Sequence, residues 1–551
     1  MIKLSPAEGL KTGSEYLRGT LKDELAQDTS AFSKPAAGLL KFHGIYQQDD
    51  RDLRKTQPER SNSCMVRVSV PGGQLTPAQY LDLDGLADEI GDGTLRITSR
   101  GGIQYHYVGK RDVKKLISTV IHSGMNTWAA CGDVVRNVTA CAAPFENAAR
   151  PDITEYVRLL ARELKPKTEA YAEVWLDGER AVSLEPATDE PAPDETVEPL
   201  YGLTYLPRKF KIGFAYPGDN TTDIYSNDLG FVPYFENGQL PGFTLLAGGG
   251  MGQSNGVKLS HPRMADEVCF IPTAELLDAA KAVVTIHRDF GNRENRKLAR
   301  LKYVLDARGL DWFREELATR LGHPLLPPKT LTWHRQADYL GWHDQNVNHK
   351  FFGLRIVNGR ITRELRAAIK EVLRTFSCGV RFTAQQNLLF TGIPNARAAG
   401  LEAILRSHRV ALPHELPPVL RHSMACPALP TCGQALTESE RRAPEMMTMI
   451  GDELAAVGLP EEVVHVRMTG CPNGCVRPYT AEIGIVGQSV DLYSIYLGGS
   501  PVGSRLAKLH LHNVKVADLA ATLRPIFVEF AAARQPSESL GDYWHRAHQQ
   551  N

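Results

Sequence analysis

Two stretches of this chain, far apart in sequence, carry the same pattern, and that repeat restricts the fold more than any other feature. Val66-Arg-Val-Ser-Val-Pro-Gly-Gly-Gln-Leu-Thr leads into a helix-like stretch and then into Leu95-Arg-Ile-Thr-Ser-Arg. Phe352-Gly-Leu-Arg-Ile-Val-Asn-Gly-Arg-Ile-Thr leads into a similar stretch and then into Val380-Arg-Phe-Thr-Ala-Gln. Each copy predicts strand, glycine turn, amphipathic helix, strand. In the second copy Leu365, Ile369, Val372 and Leu373 recur at helical spacing. Two related halves separated by ~200 residues predict one pseudo-symmetric α+β module with a domain inserted between its halves.

The insert predicts a mixed α/β domain, with apolar-periodic helices at Ile153–Leu164 and near Leu276–Ile286. The proline-rich, acidic run Glu185–Glu195 predicts an exposed loop. The region after Ala411 carries grouped cysteines and predicts an apolar helix around Val516–Phe530. A length of 551 residues suits three or four domain-sized units. The expected division is an N-terminal extension at 1–60 that docks a partner, the repeat module at 61–128 and 341–410, the inserted domain at 129–340, and a last domain at 411–551.

Lysine plus arginine equals aspartate plus glutamate, at 63 each, which argues against a nucleic-acid partner. The N-terminus lacks the apolar core of a signal peptide, and no run approaches the ~18 apolar residues of a membrane span. A cytoplasmic protein with reduced cysteines is expected.

Of nine cysteines, four are grouped: Cys426-Pro-Ala-Leu-Pro-Thr-Cys432 and Cys471-Pro-Asn-Gly-Cys475. Four thiolates can hold zinc or an iron–sulfur cluster, and the wider pair exceeds the usual zinc spacing. Prolines and glycines turn the backbone at both pairs, which lets amide hydrogens converge on sulfur. On spacing alone the metal stays open.

The motifs Arg467-Met-Thr-Gly-Cys471-Pro-Asn-Gly-Cys475 and Ala481-Glu-Ile-Gly resemble the signature of the sirohaem nitrite and sulfite reductase family. The resemblance extends to Phe42-His-Gly-Ile-Tyr-Gln-Gln-Asp-Asp-Arg-Asp, Tyr205-Leu-Pro-Arg-Lys-Phe-Lys and Leu497-Gly-Gly, and so to nearly the whole chain. It implies the family's pseudo-two-fold α+β fold, a ferredoxin-like-repeat module plus two mixed α/β domains for sirohaem and cluster. It also implies a [4Fe–4S] cluster on Cys426, Cys432, Cys471 and Cys475, with Cys475 bridging to sirohaem iron. The implied activity is six-electron reduction of sulfite to sulfide, with nitrite as the alternative substrate. No flavin or NADPH module is recognisable, so electrons come from another protein. The N-terminal likeness, including Tyr16-Leu-Arg-Gly-Thr, favours a flavoprotein subunit, with ferredoxin as the alternative.

Sirohaem carries eight carboxylates and needs a cationic pocket. Arg96, Arg100 and Gln104 fall on one face if Leu95–Gln104 is a single extended strand, and guanidinium forks match carboxylates. The resemblance assigns these three to sirohaem, together with Arg300, Gln386 and Asn387, and makes the glycine run Gly248–Gly250 a further candidate. By the same resemblance the substrate anion meets Arg67, Arg136, Lys209 and Lys211. Taken alone, Lys209 and Lys211 read as a solvated surface pair; within this motif they read as one cationic wall. Some ferredoxin-dependent relatives link a cysteine, at the position of Cys131, to a tyrosine. The tyrosine's position holds Cys64, so no such bond is expected, and both thiols read equally as small buried hydrophobes.

Overall fold

Alternation along the strand Asn62–Val68 sends Cys64, Val66 and Val68 into the core and leaves Met65 and Arg67 on the other face. This strand belongs to a computed structural model that describes residues 3–57, 59–146, 150–177 and 198–548; the acidic run Glu185–Glu195 lies outside them. It joins a five-stranded sheet in the order Ile45–Asp49, Asn62–Val68, Ile103–Val108, Leu95–Ile97, Arg360–Ile361. A second five-stranded sheet runs Gly341–Asp344, His349–Leu354, Leu388–Pro394, Gly379–Phe382, Gln74–Leu75.

The last strand of each sheet comes from the other half. Gln74–Leu75 pairs with Gly379–Phe382, and Arg360–Ile361 pairs with Leu95–Ile97. The glycine turns redirect the chain: Gly72 (φ 62°) and Asn358 (φ 54°) are left-handed inside the turns Pro71–Gly73 and Val357–Gly359. The sequence repeat is therefore also a reciprocal strand exchange. After each exchange a threonine caps a helix, Thr76 for Pro77–Glu89 and Thr362 for Arg363–Phe376.

The segment around Arg100 differs from its predicted form. It is a hairpin, Leu95–Ile97 and Ile103–Val108, closed by a turn with Gly101 at φ 71°. Arg96 and Gln104 still share a face, as direct register partners. Arg100 leaves the sheet at the turn.

A second repeat, unseen in the sequence, relates the insert to the C-terminal domain. In the insert, Ile212–Phe214 runs parallel to Leu229–Glu236, which continues antiparallel through Gln239–Ala247 to Asp266–Pro272. At the C-terminus, Val466–Thr469 runs parallel to Ile483–Ser489, then antiparallel through Leu492–Leu497 to Lys508–Lys515. Before the second strand of each series a left-handed residue, Asp223 (φ 50°) or Arg477 (φ 58°), opens a short 3₁₀ turn. A helix follows each fourth strand, Leu276–Phe290 and Leu519–Ala533, the latter beginning three residues later than its periodicity suggests because Val516–Asp518 is 3₁₀. The helix predicted at Ile153–Leu164 forms as Thr154–Glu163. Among the described residues no helix is long and apolar enough to cross a membrane.

The two exchanged halves are joined by a buried ion pair. Arg366, on the second helix, grips Asp84 on the first through Nε–Oδ1 (2.8 Å) and Nη2–Oδ2 (2.9 Å), and Nη1 donates to Gly93 O at 2.8 Å. Both side chains are almost fully buried. Asp84→Ala, which leaves the guanidinium only the exposed Asp88 and backbone carbonyls such as Gly93 O, is expected to destabilise the protein by about 3 kcal/mol, read from the denaturant midpoint; an unshifted midpoint would contradict this.

Candidate active site and cofactor centre

One face of the first sheet packs its apolar residues against helices, and the opposite face is polar yet buried. Register partners put Arg360, Arg96, Gln104 and Arg67 in one row across four strands. Arg96 is nearly inaccessible; its Nε meets Glu440 at 3.1 Å and its Nη2 donates to Ala425 O at 2.9 Å. With its amide oxygen turned to Arg67, Gln104 accepts from Nε at 3.1 Å and from Nη2 at 2.6 Å. Arg67 Nη1 also donates to Cys131 Sγ at 2.9 Å. Cys64 is buried on the core face, and all nine cysteines are free thiols.

The cysteine loops sit at the ends of parallel strands. Cys426 follows Met424–Ala425, and Cys471 follows Val466–Thr469. Gly470 donates its N–H to Cys426 Sγ at 3.3 Å, and a Cβ there would lie 2.5 Å from Thr437 O, so only glycine allows this approach. Asn473 Nδ2 approaches Cys471 Sγ at 3.5 Å, and backbone N–H groups of Gln434 and Ala435 reach Cys432. Burial first, then the neighbouring sulfurs, raise the Cys426, Cys432 and Cys471 thiols. Cys475 alone of the four is exposed.

Each of Cys426, Cys432 and Cys471 feels the charge of Cys475, so the four lie near one another. Among the described residues no three His, Cys, Asp or Glu are placed to hold a single metal ion. Four thiols with N–H groups aimed at sulfur are a donor set that fits an iron–sulfur cluster.

Two residues beyond Cys475, Arg477 fixes the loop to the rest of the chain. It donates to Ser99 O (3.0 Å) in the first repeat and to Ala384 O (2.9 Å) at the matching turn of the second. Its Nε meets Asp223 of the insert, which Arg467 Nη1 also reaches at 2.8 Å. All three charged side chains are buried. The arginines hold the Asp223 carboxyl below its usual range against the opposing effect of burial.

Lys209 and Lys211 both turn away from the core, since Phe210 and Ile212 between and after them are fully buried. Phe210 O accepts from Arg136 N at 2.9 Å, so the Arg136 segment runs beside them. Burial, reinforced by Arg208, Arg136 and Arg300, lowers Lys209 to about 7. Burial, Lys209, Arg300 and Arg100 push Lys211 well below its usual value. Lys209 also senses Cys475, which ties this wall to the cysteine loop.

The remaining predicted residues take varied positions. Arg100 reaches Asn227 Oδ1 (2.7 Å), Asn137 O (2.8 Å) and Ile212 O (2.5 Å). Arg300 grips Asp228 through two bonds, at 2.8 and 2.7 Å, while Asp228 also accepts from Lys211 N at 2.8 Å. Gln386 is left-handed (φ 69°) in the second repeat's turn, and Asn387 is spent on Asp338, Arg355 and Ile356. The run Gly248–Gly250 leads to Gln253, whose N–H donates to Pro472 O at 2.9 Å in the cysteine loop. Sequence reasoning missed Asp223, Asp228 and Arg477, and also Tyr46, which lies beside Arg136. It missed His106 as well, a buried imidazole with neither ring nitrogen partnered, near Arg360, Arg96 and Arg67.

The orphaned His106 nitrogens, the orphaned Arg100 Nε and the cationic walls suit a buried, carboxylate-bearing macrocycle. Asp223→Ala leaves two buried guanidiniums uncompensated beside the cysteine loop. It is expected to lower iron and acid-labile sulfide in the purified protein several-fold; full cluster occupancy would contradict that role.

The model described as "Nitrite/Sulfite reductase ferredoxin-like half domain" matches residues 56–120 and 343–408, the two halves of the strand-exchanged module. The model "Nitrite and sulphite reductase 4Fe-4S domain" matches 157–325. That stretch holds Lys209, Lys211 and Arg300 but none of the four grouped cysteines, which lie in the domain that repeats its strand topology. "Sulfite reductase [ferredoxin]" of Synechococcus elongatus is 41% identical over 99% of this chain and 89% of that protein. "Sulfite reductase [NADPH] hemoprotein beta-component" of Myxococcus xanthus is 41% identical (99% and 96%), and that of Shewanella baltica 42% (98% and 96%). The solved structure of the Mycobacterium tuberculosis NirA protein superposes with a TM-score of 0.83 over 100% of this chain and 97% of that one, at 23% identity, a likeness of fold. The chain belongs to the nitrite and sulfite reductase family.

Proposed function

We propose that this chain is the sirohaem and [4Fe–4S] component of an assimilatory sulfite reductase, reducing sulfite to sulfide with six electrons for cysteine synthesis. The observation that carries the reading is the placement of Lys209 and Lys211 on one half-buried wall with Arg136, beside the exposed Cys475. Full-length relatives named sulfite reductase support it. Cys426, Cys432, Cys471 and Cys475 would hold the cluster, and Cys475, as the exposed thiol, suits the bridging position. When bound, the paired cofactors supply electrons singly to the anion.

The chain's own residues bind and protonate. The guanidiniums of Arg67 and Arg136 are already braced by Gln104, Cys131 and Gly132 O, so they suit holding and orienting an oxyanion. Lys209 and Lys211 are depressed enough to give up protons, and each departing sulfite oxygen leaves as water only if protons arrive. Arg96, Arg100, Gln104, Arg300, Gln386 and Asn387 are the proposed macrocycle contacts, some of them acting through Glu440, Asp228 and the turn they brace.

A flavoprotein subunit is the proposed electron donor, on the names of the NADPH-type relatives; the Synechococcus relative keeps ferredoxin as the second reading. Turnover with NADPH plus flavoprotein, compared with reduced ferredoxin, separates them. A cytoplasmic location suits nine free thiols.

Lys209→Met and Lys211→Met are each expected to cut sulfide formation by about 100-fold or more while sirohaem absorbance is kept. Since Lys209 carries its proton below about 7 and sheds it above, kcat/KM for sulfite should fall as pH rises past that value, and Lys209→Arg should remove this limb. Undiminished turnover in both methionine variants would sink the assignment.

A further inference from the structure

Beyond the wall at Lys209 and Lys211 the cations do not stop. Arg208 precedes Lys209, and Arg296 lies against the same segment, with Nη1 near Pro207 O at 3.3 Å. Lys41 Nζ stands 5.9 Å from the centre of the Tyr46 ring, and Tyr46 in turn lies beside Arg136. These groups come from four separate segments, yet each acts on the others. Arg296, Arg208 and Arg136 all lower Lys41, after the larger effect of burial, and burial with Arg296 lowers Arg208 to about 10.

Asp133, which also acts on Lys41 and Arg208, is committed to Arg296 at 2.6 Å, and Asp228, beside Lys211, is gripped by Arg300. Among the described residues no carboxylate forms an ion pair with Lys41, Arg208, Lys209 or Lys211. Like charges gathered without counter-ions are costly unless an anion passes or rests between them. They differ in exposure at the outer end only. Lys41 is open to solvent, while Arg296, Arg208, Arg136 and Lys209 are half-buried.

We propose that Lys41, Arg296 and Arg208 form the outer part of an entry channel that draws a small dianion, sulfite on the reading above, inward to Lys209 and Lys211. A cleft lined by one sign of charge raises the local concentration of an oppositely charged substrate, with effects of about 10- to 1,000-fold on association. The outer groups act through their field on the approaching anion and not at the reacting atoms. Their removal should therefore weaken capture and spare the chemical step. A dianion should feel the loss more than a monoanion of similar size.

The test uses the holoenzyme with a small artificial electron donor, so that partner docking does not enter. kcat and KM for sulfite and for nitrite are measured against ionic strength at pH 8 for the native protein, Lys41→Gln and Arg208→Gln. The native kcat/KM for sulfite should fall as salt rises. At low salt it should drop about threefold in Lys41→Gln and about tenfold in Arg208→Gln, through KM, with a shallower salt slope and a smaller loss for nitrite. Lys41 is exposed, so its variant keeps the test available if Arg208→Gln folds poorly. An unchanged kcat/KM and salt slope in an active Lys41→Gln enzyme would overturn the channel. So would loss of sirohaem absorbance in Arg208→Gln, which would make Arg208 a cofactor holder. A native holoenzyme that reduces nitrite but not sulfite would instead refute the reading of the substrate on which the channel rests.

Discussion

One guanidinium, that of Arg477, meets both halves of the repeat and the insert at once. It takes a carbonyl from each turn of the strand-exchanged repeat, Ser99 O and Ala384 O, and a carboxylate from the insert, Asp223. It stands two residues from Cys475, so the contact that joins the domains also sets the cysteine loop. Asp223 and Arg477 occupy the same place in the second repeat, each left-handed at the start of a 3₁₀ turn. The two pseudo-equivalent residues thus bind one another across the join. Buried charges of this kind are costly in isolation, and here each is met by two or more partners.

That join places two unlike surfaces opposite one another. On one side cysteine sulfurs receive backbone N–H groups in a loop kept tight by Gly470. On the other side the insert carries Lys209 and Lys211 beside Arg136, with too few carboxylates to neutralise them. A low local dielectric strengthens the pull of such a wall on an anion and depresses the lysines toward proton release. On the proposed reading, the cysteine loop would supply electrons and the lysines protons to the same place from separate domains, which suits a reduction that consumes both.

Much of this was legible in the residues. The repeat around Val66 and Phe352 announced the module because its glycine turns and helix periodicity are local signals. The alternation of Lys209, Phe210 and Lys211 gave their common direction for the same reason. Cysteine spacing left zinc and cluster open, and the surrounding motif and the named relatives favour the cluster. The strand exchange, the hairpin at Arg100 and the second repeat were not legible, because they depend on register and topology more than on composition. Asp223 was invisible for a related reason: its partner Arg467 lies 244 residues away, and nothing near Asp223 marks it. His106, similarly, becomes notable only when its burial and unpartnered nitrogens are known.

The most direct test of the central claim, that this chain brings a cluster and sirohaem together on Cys475, is chemical analysis of the purified protein. Acidic solvent extraction, with iron, acid-labile sulfide and zinc measured on the same sample, should yield sirohaem together with the additional iron and the sulfide of a [4Fe–4S] cluster. A colourless protein that yields no sirohaem and carries zinc on its four cysteines would contradict it.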